Sequence, residues 1–297
     1  MTAMELLRTI LSVPGNRENM IEKSKQVPAD IIVLDLEDSV PQEEKTHARA
    51  IVNSWIPRLT GNGSRIYVRI NSLDGGLAQE DLGAVILPGV DGISQPKPST
   101  GQDIRKVAEF LTRLEKERGL PDGQIKILPW IETSLGLINA YEIASSSPRV
   151  NGVIFGANDL VLDIGMTRSE EGHELLYPRT KIVVAARAAG VAAIDTPYNN
   201  FKDERGLIRE TTLARNLGFR GKFVIHPGQV DVVNRIFRPT EEEVAHSKKV
   251  VAAFEEARSK GFASASLDGK MIDIPIAQRA MVILLTNEAI AQKEKRH

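Results

Sequence analysis

The sequence of 297 residues predicts an α/β fold, a TIM-type (β/α)8 barrel with a C-terminal helical extension and lid. Short apolar runs rich in Val and Ile recur along the chain, and each is followed by a polar or glycine-bearing turn and a stretch with helical periodicity. The runs are apolar almost throughout, as in strands that are buried on both faces. A doubly wound open sheet is the competing architecture, but no G-x-G-x-x-G motif follows the first run.

The runs predict eight strands, and the intervening segments predict helices. Residues 102–118 form an amphipathic pattern that ends at Gly119 and Pro121, and residues 177–189 end at Gly190. The predicted strands cover residues 9–13, 31–36, 66–70, 92–95, 125–131, 153–155, 192–194 and 222–225.

A different organisation is predicted after the eighth strand. Residues 240–260 predict a capped helix with three glutamates in its first turn, where the helix dipole favours acidic side chains. A Gly/Ala/Ser-rich stretch over residues 261–269 then leads to Met271-Ile272-Asp273 and a final helix. We therefore predict a catalytic barrel over residues 1–239 and a C-terminal helix and lid segment over residues 240–297.

Composition excludes several functional classes. The formal charge of -1 gives no excess of Lys and Arg for nucleic acid or an anionic membrane. The absence of cysteine excludes disulfides, thiolate metal ligands and a cysteine nucleophile. No uninterrupted apolar run approaches the roughly 18 residues that span a bilayer. We expect a soluble, cytoplasmic protein without nucleic-acid or membrane partners.

Carboxylates follow several of the predicted strands. In a TIM barrel these strand ends form one rim, where unneutralised acids would repel one another and raise their pKa values. A divalent cation is the natural partner, and oxygen ligands favour Mg2+ or Mn2+. We predict Glu132 and Asp159 as the ligands, although a single acid such as Asp35 or Asp195 can equally cap a helix or pair with Arg.

Three further positions on this rim suggest substrate contacts. Arg69 ends a buried strand, and its guanidinium fork can bind a substrate carboxylate or stabilise an enolate oxygen. The alternative is a structural ion pair with Glu37 or Asp38. Gly156 and Ala157 are small enough for their amides to approach a carboxylate, or they simply form a tight turn.

Lys97 suggests a different chemistry. A lysine on a barrel strand can form a Schiff base with a carbonyl substrate if burial lowers its pKa. The flanking prolines and the nearby acids argue instead for a charged lysine that pairs with ligands or supports the structure.

Eight short strings occur in order across nearly the whole chain, and together they resemble the citrate lyase beta-subunit-like family. That family includes citramalyl-CoA and malyl-CoA lyases. The strings occupy residues 13–16 (VPGN), 35–38 (DLED), 68–71 (VRIN), 96–97 (PK), 132–133 (ET), 156–159 (GAND), 225–227 (IHP) and 268–273 (DGKMID).

The resemblance implies roles for the residues of these strings. It implies Mg2+ held by Glu132 and Asp159, with metal-bound waters held by Glu37 and Asp38. It also implies substrate binding by a set that comprises Arg69, Gly156, Ala157 and Asn158.

The C-terminal lid has a role by the same resemblance. In the family it reaches the active site of a neighbouring subunit in a homotrimer or a larger oligomer such as a hexamer. This implies that Asp273 takes part in catalysis.

Coenzyme A binding is implied at the first and last βα loops. Ser12, Asn19 and Lys23 would lie near the phosphates, and Ile225 and His226 near the adenine end. Asn19 stands where some relatives carry a basic residue, so this sequence lacks part of that phosphate contact.

The implied activity is Mg2+-dependent cleavage of a 3-hydroxyacyl-CoA thioester by a retro-aldol or Claisen-type mechanism. Citramalyl-CoA would give acetyl-CoA and pyruvate, and malyl-CoA would give acetyl-CoA and glyoxylate. The alternatives are a citrate lyase beta subunit acting on a citryl thioester of an acyl carrier protein, a Schiff-base aldolase using Lys97, and a non-catalytic acyl-CoA binder.

Overall fold

The computed structural model describes residues 5–169 and 171–295. The described residues divide into two compact units, one within Leu7–Asn234 and one that contains residues 235–295 together with Glu5 and Leu6. The division lies close to the domain boundary predicted between residues 239 and 240.

The first unit is a closed barrel of eight parallel strands that pair in chain order, with the first strand also pairing to the eighth. Every predicted apolar run forms a strand, and the predicted TIM-type barrel is confirmed. The strands are β1 Thr9–Pro14, β2 Ile31–Asp35, β3 Arg65–Arg69, β4 Gly92–Gln95, β5 Lys126–Ile131, β6 Gly152–Phe155, β7 Ala192–Asp195 and β8 Gly221–Val224.

Side chains from most of the strands fill the barrel interior. Trp130 and Phe223 meet edge to face with their ring centroids 4.6 Å apart, and the Trp130 indole donates a hydrogen bond of 2.7 Å to Ser94. The buried cluster around them comprises Leu7, Ile10, Ile31, Val33, Tyr67, Leu128, Ile154 and Ile194. The barrel is therefore a packed core, and a cavity can form only beyond its last layer.

Helices follow the strands, and two of the predicted ones are confirmed closely. The helix predicted at residues 102–118 is α4, which begins with a capping box between Thr100 and Asp103. The helices are α1 Glu18–Ser24, α2 Lys45–Leu59, α3 Ala78–Val85, α4 Gly101–Glu117, α5 Ser134–Ile138, α6 Ala140–Ser145, α7 Ala157–Ile164, α8 Leu176–Ala188, α9 Glu204–Leu217, α10 Val230–Phe237, α11 Glu241–Ser259 and α12 Ile274–Glu294.

The second unit contains α11, α12 and a two-stranded antiparallel hairpin, β9 Ala265–Leu267 and β10 Lys270–Ile272. Thr240 and Glu243 form the capping box that starts α11, as its acidic first turn suggested. A small core joins these elements through the buried side chains Val250, Ile272, Ala277 and Ala280.

Helix α12 is long and apolar enough, by length and composition, to cross a membrane. Its most apolar window of 18 residues has a mean hydropathy of 1.2, and 17% of that window is buried. The search for uninterrupted apolar runs missed this helix because Arg279 and Glu288 break its apolar sequence. One such helix is weak evidence for a membrane, since mostly buried core helices of soluble proteins and signal sequences pass the same test.

Candidate active site

A cavity of about 360 Å³ opens at the carboxyl ends of the barrel strands. Most of its strand-derived residues stand two positions after a residue of the barrel core, because alternate residues of a strand face the same side. The pairs of core residue and cavity residue are Ile10 and Ser12, Val33 and Asp35, Tyr67 and Arg69, Ile154 and Gly156, Ile194 and Thr196, and Phe223 and Ile225. The alternation of buried strands thus carries polar groups into one mouth.

Arg69 lies buried in this mouth and is held by Asp35. Its Nε and Nη2 donate hydrogen bonds of 2.7 and 2.6 Å to the two carboxylate oxygens of Asp35. Burial opposes ionisation of Asp35, but the charge and hydrogen bonds of Arg69 outweigh burial and lower the pKa of Asp35 below its usual value. The guanidinium centre also lies 5.4 Å from the Trp130 ring. Both groups are therefore charged and fixed in position.

The third nitrogen of Arg69 faces the loop after β2. Nη1 lies 2.9 Å from Glu37 Oε2 and 3.2 Å from Asp38 Oδ2. The ion pairs weighed as an alternative role for Arg69 therefore exist, yet Arg69 also lines the cavity. The side chain of Asp38 is more than half exposed, so this ion pair contributes little to stability.

A buried lysine, Lys45, holds the backbone of the loop after β2. Lys45, the first residue of α2, donates hydrogen bonds of 2.7 Å to the carbonyl oxygens of Leu36 and Glu37. Asn71 adds a bond of 3.1 Å from its side-chain amide to Leu36 O. These contacts fix the backbone that carries Glu37 and Asp38.

The side chain of Glu132 lines the cavity and contacts Gly156. A Cβ built on Gly156 would lie only 2.4 Å from Glu132 Oε2, so only glycine fits at this position. Burial, followed by the negative charges of Asp159 and Glu37, raises the pKa of Glu132 to about 8. A cation would stabilise the ionised form of a carboxyl group that is buried beside two other acids.

Asp159 lies in the first turn of α7, which starts directly after β6. The backbone amides of Gly156 and Ala157, at the start of this turn, both donate hydrogen bonds within the protein. Gly156 N donates to Ile131 O at 3.0 Å, and Ala157 N donates to Thr196 Oγ1 at 3.2 Å. From the sequence we expected these amides to be free to approach a substrate carboxylate. That expectation was wrong, because both amides already donate hydrogen bonds to acceptors within the protein. The assignment of these residues to substrate binding stays a prediction, and their small side chains line the cavity.

The donor set fits a magnesium ion. Glu132 and Asp159 supply two carboxylates, and Mg2+ commonly binds one or two while it keeps several waters. Within the described part of the chain the buried Oε2 of Glu37 accepts no hydrogen bond, although Arg69 Nη1 lies 2.9 Å away as an ion-pair partner, so this oxygen can still accept a hydrogen bond from a metal-bound water. Burial also raises the pKa of Glu37 to about 7. Among the described residues no group of three or more His, Asp or Glu side chains could hold a metal, so Glu132 and Asp159 would hold it as a pair.

Lys97 is charged, contrary to what a Schiff-base lysine requires. Burial alone would lower the pKa of Lys97, but its hydrogen bond to Glu37 and the charges of Glu37, Asp38 and Glu132 raise that pKa above the usual value. A nucleophilic amine must lose its proton. The structure thus argues against the Schiff-base alternative.

The residues predicted to bind coenzyme A are dispersed. Ser12 and Ile225 line the cavity. Asn19 and Lys23 are exposed on α1, and His226 is exposed after β8, where its ring stacks on Phe201 with centroids 4.9 Å apart. Their role in coenzyme A binding stays a prediction.

Asp273 belongs to the second unit, where it caps α12. Its Oδ1 accepts a hydrogen bond of 3.1 Å from Ile276 N. Asp273 is partly buried. The catalytic role of Asp273 stays a prediction.

From the sequence we gave no role to several cavity residues, among them Thr196, and left two roles open for Asp195. Thr196 lines the cavity and holds the start of α7, yet a lone threonine after a strand gave no signal. Its neighbour Asp195 faces away from the cavity and pairs with Arg179 and Lys222 at 2.9 and 2.7 Å. The structural role considered for Asp195 is the one observed.

Comparison with known proteins gives the family. Residues 8–227 match the model of the HpcH/HpaI aldolase/citrate lyase family. The citrate lyase subunit beta of Leuconostoc mesenteroides subsp. cremoris is 40% identical over 94% of this chain and 92% of its own length. The mitochondrial citramalyl-CoA lyase of Mus musculus is 35% identical over 96% of this chain and 87% of its own length.

A solved structure extends the comparison to a liganded protein. CitE from Mycobacterium tuberculosis, crystallised with magnesium, acetoacetate and coenzyme A, is 27% identical with a TM-score of 0.74. The alignment covers 95% of this chain and 98% of CitE. The resemblance predicted from the sequence and the carbon–carbon lyase class are confirmed. The chain belongs to the HpcH/HpaI aldolase/citrate lyase family.

Proposed function

We propose that this protein is a magnesium-dependent lyase that cleaves a 3-hydroxyacyl-CoA thioester, with citramalyl-CoA as the first candidate and malyl-CoA as the second. The observation that carries the proposal is the meeting of Arg69, Glu132 and Asp159 at one cavity whose acids outnumber its cations. The magnesium and coenzyme A bound to the related CitE support it.

The proposed reaction breaks the bond between the carbon that bears the hydroxyl group and the carbon next to the thioester. The hydroxyl proton passes to water, a keto acid forms, and the bonding electrons pass to the thioester as an enolate, whose carbon then takes up one proton. When bound, Mg2+ supplies Lewis acidity to the substrate oxygens. Arg69 stabilises the developing negative charge because its guanidinium cannot lose its proton and is already fixed by Asp35.

Asp273 completes the proposed reaction by returning a proton to the enolate carbon. In the direction of condensation the same carboxylate would remove that proton. Glu37 and Asp38 would orient waters around the cation, as outer carboxylates of metal sites do.

Replacement of each predicted ligand tests the proposal. Glu132→Ala and Asp159→Ala should each lower Mg2+-dependent cleavage by about 100-fold or more, because even the loss of a residue that only supports a metal ligand costs about 10–100-fold. Steady-state kinetics measure the cleavage, and calorimetric titration measures Mg2+ binding. Glu117→Ala on the exposed face of α4 is the control. Full magnesium-dependent cleavage in both ligand variants would refute the metal assignment.

A citrate lyase beta subunit is the second candidate, favoured by the relative that is 40% identical. Such a subunit would act on a citryl thioester of an acyl carrier protein. A stable complex with a carrier protein, together with inactivity on free coenzyme A thioesters, would support this candidate over the first.

A further inference from the structure

Lys97 places a positive charge among the acids of the predicted metal site. Its Nζ lies 3.0 Å from Glu37 Oε1, 3.3 Å from Asp159 Oδ1 and 4.0 Å from Asp38 Oδ1. Asp159 is one of the two predicted magnesium ligands. A divalent cation bound there would therefore share a carboxylate with the ammonium group.

The backbone holds Lys97 at this point. Lys97 adopts the left-handed region with φ 52° between Pro96 and Pro98, a conformation that costs a non-glycine residue about 1–2 kcal/mol. In this conformation its N–H donates a hydrogen bond of 2.9 Å to Glu132 Oε1. One residue thus contacts both predicted ligands, Glu132 through the backbone and Asp159 through the side chain.

We propose that Lys97 is a built-in counter-ion that stabilises the acidic site without a metal and competes with the divalent cation for it. The inference rests on the proposed magnesium site. Without a metal, the ammonium group offsets the repulsion among Glu37, Asp38 and Asp159. Once Mg2+ binds, the same group repels it, so the free enzyme binds the cation less tightly than its carboxylates alone would.

The positive charge of Lys97 determines the sign of both effects, the one on Mg2+ affinity and the one on the stability of the metal-free protein. Removal of the ammonium makes the cluster more negative by one charge, which strengthens its attraction for a divalent cation. The same removal leaves the carboxylates of Glu37 and Asp159 with less compensation in the metal-free protein. The metal-free protein should therefore be less stable, and its Mg2+ affinity should be higher.

Lys97→Met tests the proposal because methionine is also unbranched and makes the same demand on the backbone. Calorimetric titration of the full chain with MgCl2 in the absence of substrate should give a Kd about tenfold lower than that of the wild type. Thermal unfolding without a metal should show a Tm lower by about 2–4 °C. Lys97→Arg keeps the charge and should stay within about twofold of the wild-type Kd.

Controls separate this proposal from the magnesium site itself. Lys106→Met removes an exposed lysine of α4 that pairs with Asp103 at 3.7 Å, and it should change neither quantity. If Lys97→Met does not fold, Lys97→Gln carries the same expectations. Equal or weaker Mg2+ binding by the neutral variant, with normal binding by the wild type, would overturn the counter-ion role alone. An absence of Mg2+ binding by the wild type would overturn the proposed function as well.

Discussion

Glu132 gives the site its dependence on pH. Its pKa is raised to about 8 from an ordinary value of 4.5, first by burial and then by the charges of Asp159 and Glu37. A carboxyl group whose pKa is higher in the folded chain stabilises the fold at low pH, and this contribution is lost as pH rises through the folded value. The metal-free protein should lose this stability between about pH 4.5 and about pH 8.

Stabilisation by Mg2+ should therefore grow with pH. A proton and a cation compete for Glu132, so Mg2+ should raise the Tm little near pH 6 and more near pH 9, where the carboxyl group is ionised without help. Differential scanning calorimetry with and without Mg2+ measures the difference. In Glu132→Gln the increment should be small at both pH values. A wild-type increment that is the same at both pH values would contradict the assigned pKa.

Single residues show where sequence reasoning reached its limit. Glu132, Asp159 and Arg69 were predicted to meet because each lies at or just after the carboxyl end of a barrel strand, and they do share the cavity. Asp195 also ends a strand but faces outward, whereas Thr196 faces inward. Near-continuous apolar strands hide which alternate position faces the barrel axis, so the sequence alone could not separate these neighbours.

The strands and long helices could be predicted because glycine and proline bound their apolar patterns. Helix α4, for example, ends where Gly119 adopts φ 66°. The short helices α5 and α6 carry too few residues to show a period, and the sequence did not resolve them. The start of α7 depends on Thr196, a contact between elements far apart in the chain.

Gly156, which joins β6 to α7, has no room for a larger side chain. Gly156→Ala would bring a Cβ within 2.4 Å of Glu132 and push its carboxylate aside. We expect a loss of Mg2+-dependent activity of about 10–100-fold, measured by steady-state kinetics, with the circular dichroism spectrum unchanged.

Gly83 in α3 offers a matched control for this substitution. A Cβ at Gly83 meets nothing within 4 Å, so Gly83→Ala should keep full activity and stabilise the protein by about 0.5–1 kcal/mol. Full activity of Gly156→Ala would show that Glu132 does not need its present position.

At the scale of the whole molecule, closure of the barrel makes the site. Pairing of β1 with β8 brings Ser12 and Ile225 to the same cavity although they are far apart in the sequence. The apolar pattern predicted this closure. Asp273 is different, because it lies in the second unit and the role implied for it involves a neighbouring subunit, which no pattern in the barrel specifies. Its role, the homo-oligomer and the cytoplasmic location stay predictions.

Cleavage of a thioester by the purified protein tests the central claim most directly. The protein is incubated with racemic citramalyl-CoA or malyl-CoA, with Mg2+ or with EDTA, and acetyl-CoA is measured together with pyruvate or glyoxylate. We predict release of both products from at least one thioester with Mg2+ and no release with EDTA. Equal release in EDTA would contradict the magnesium site, and no release from either thioester would contradict the proposed activity on free coenzyme A thioesters.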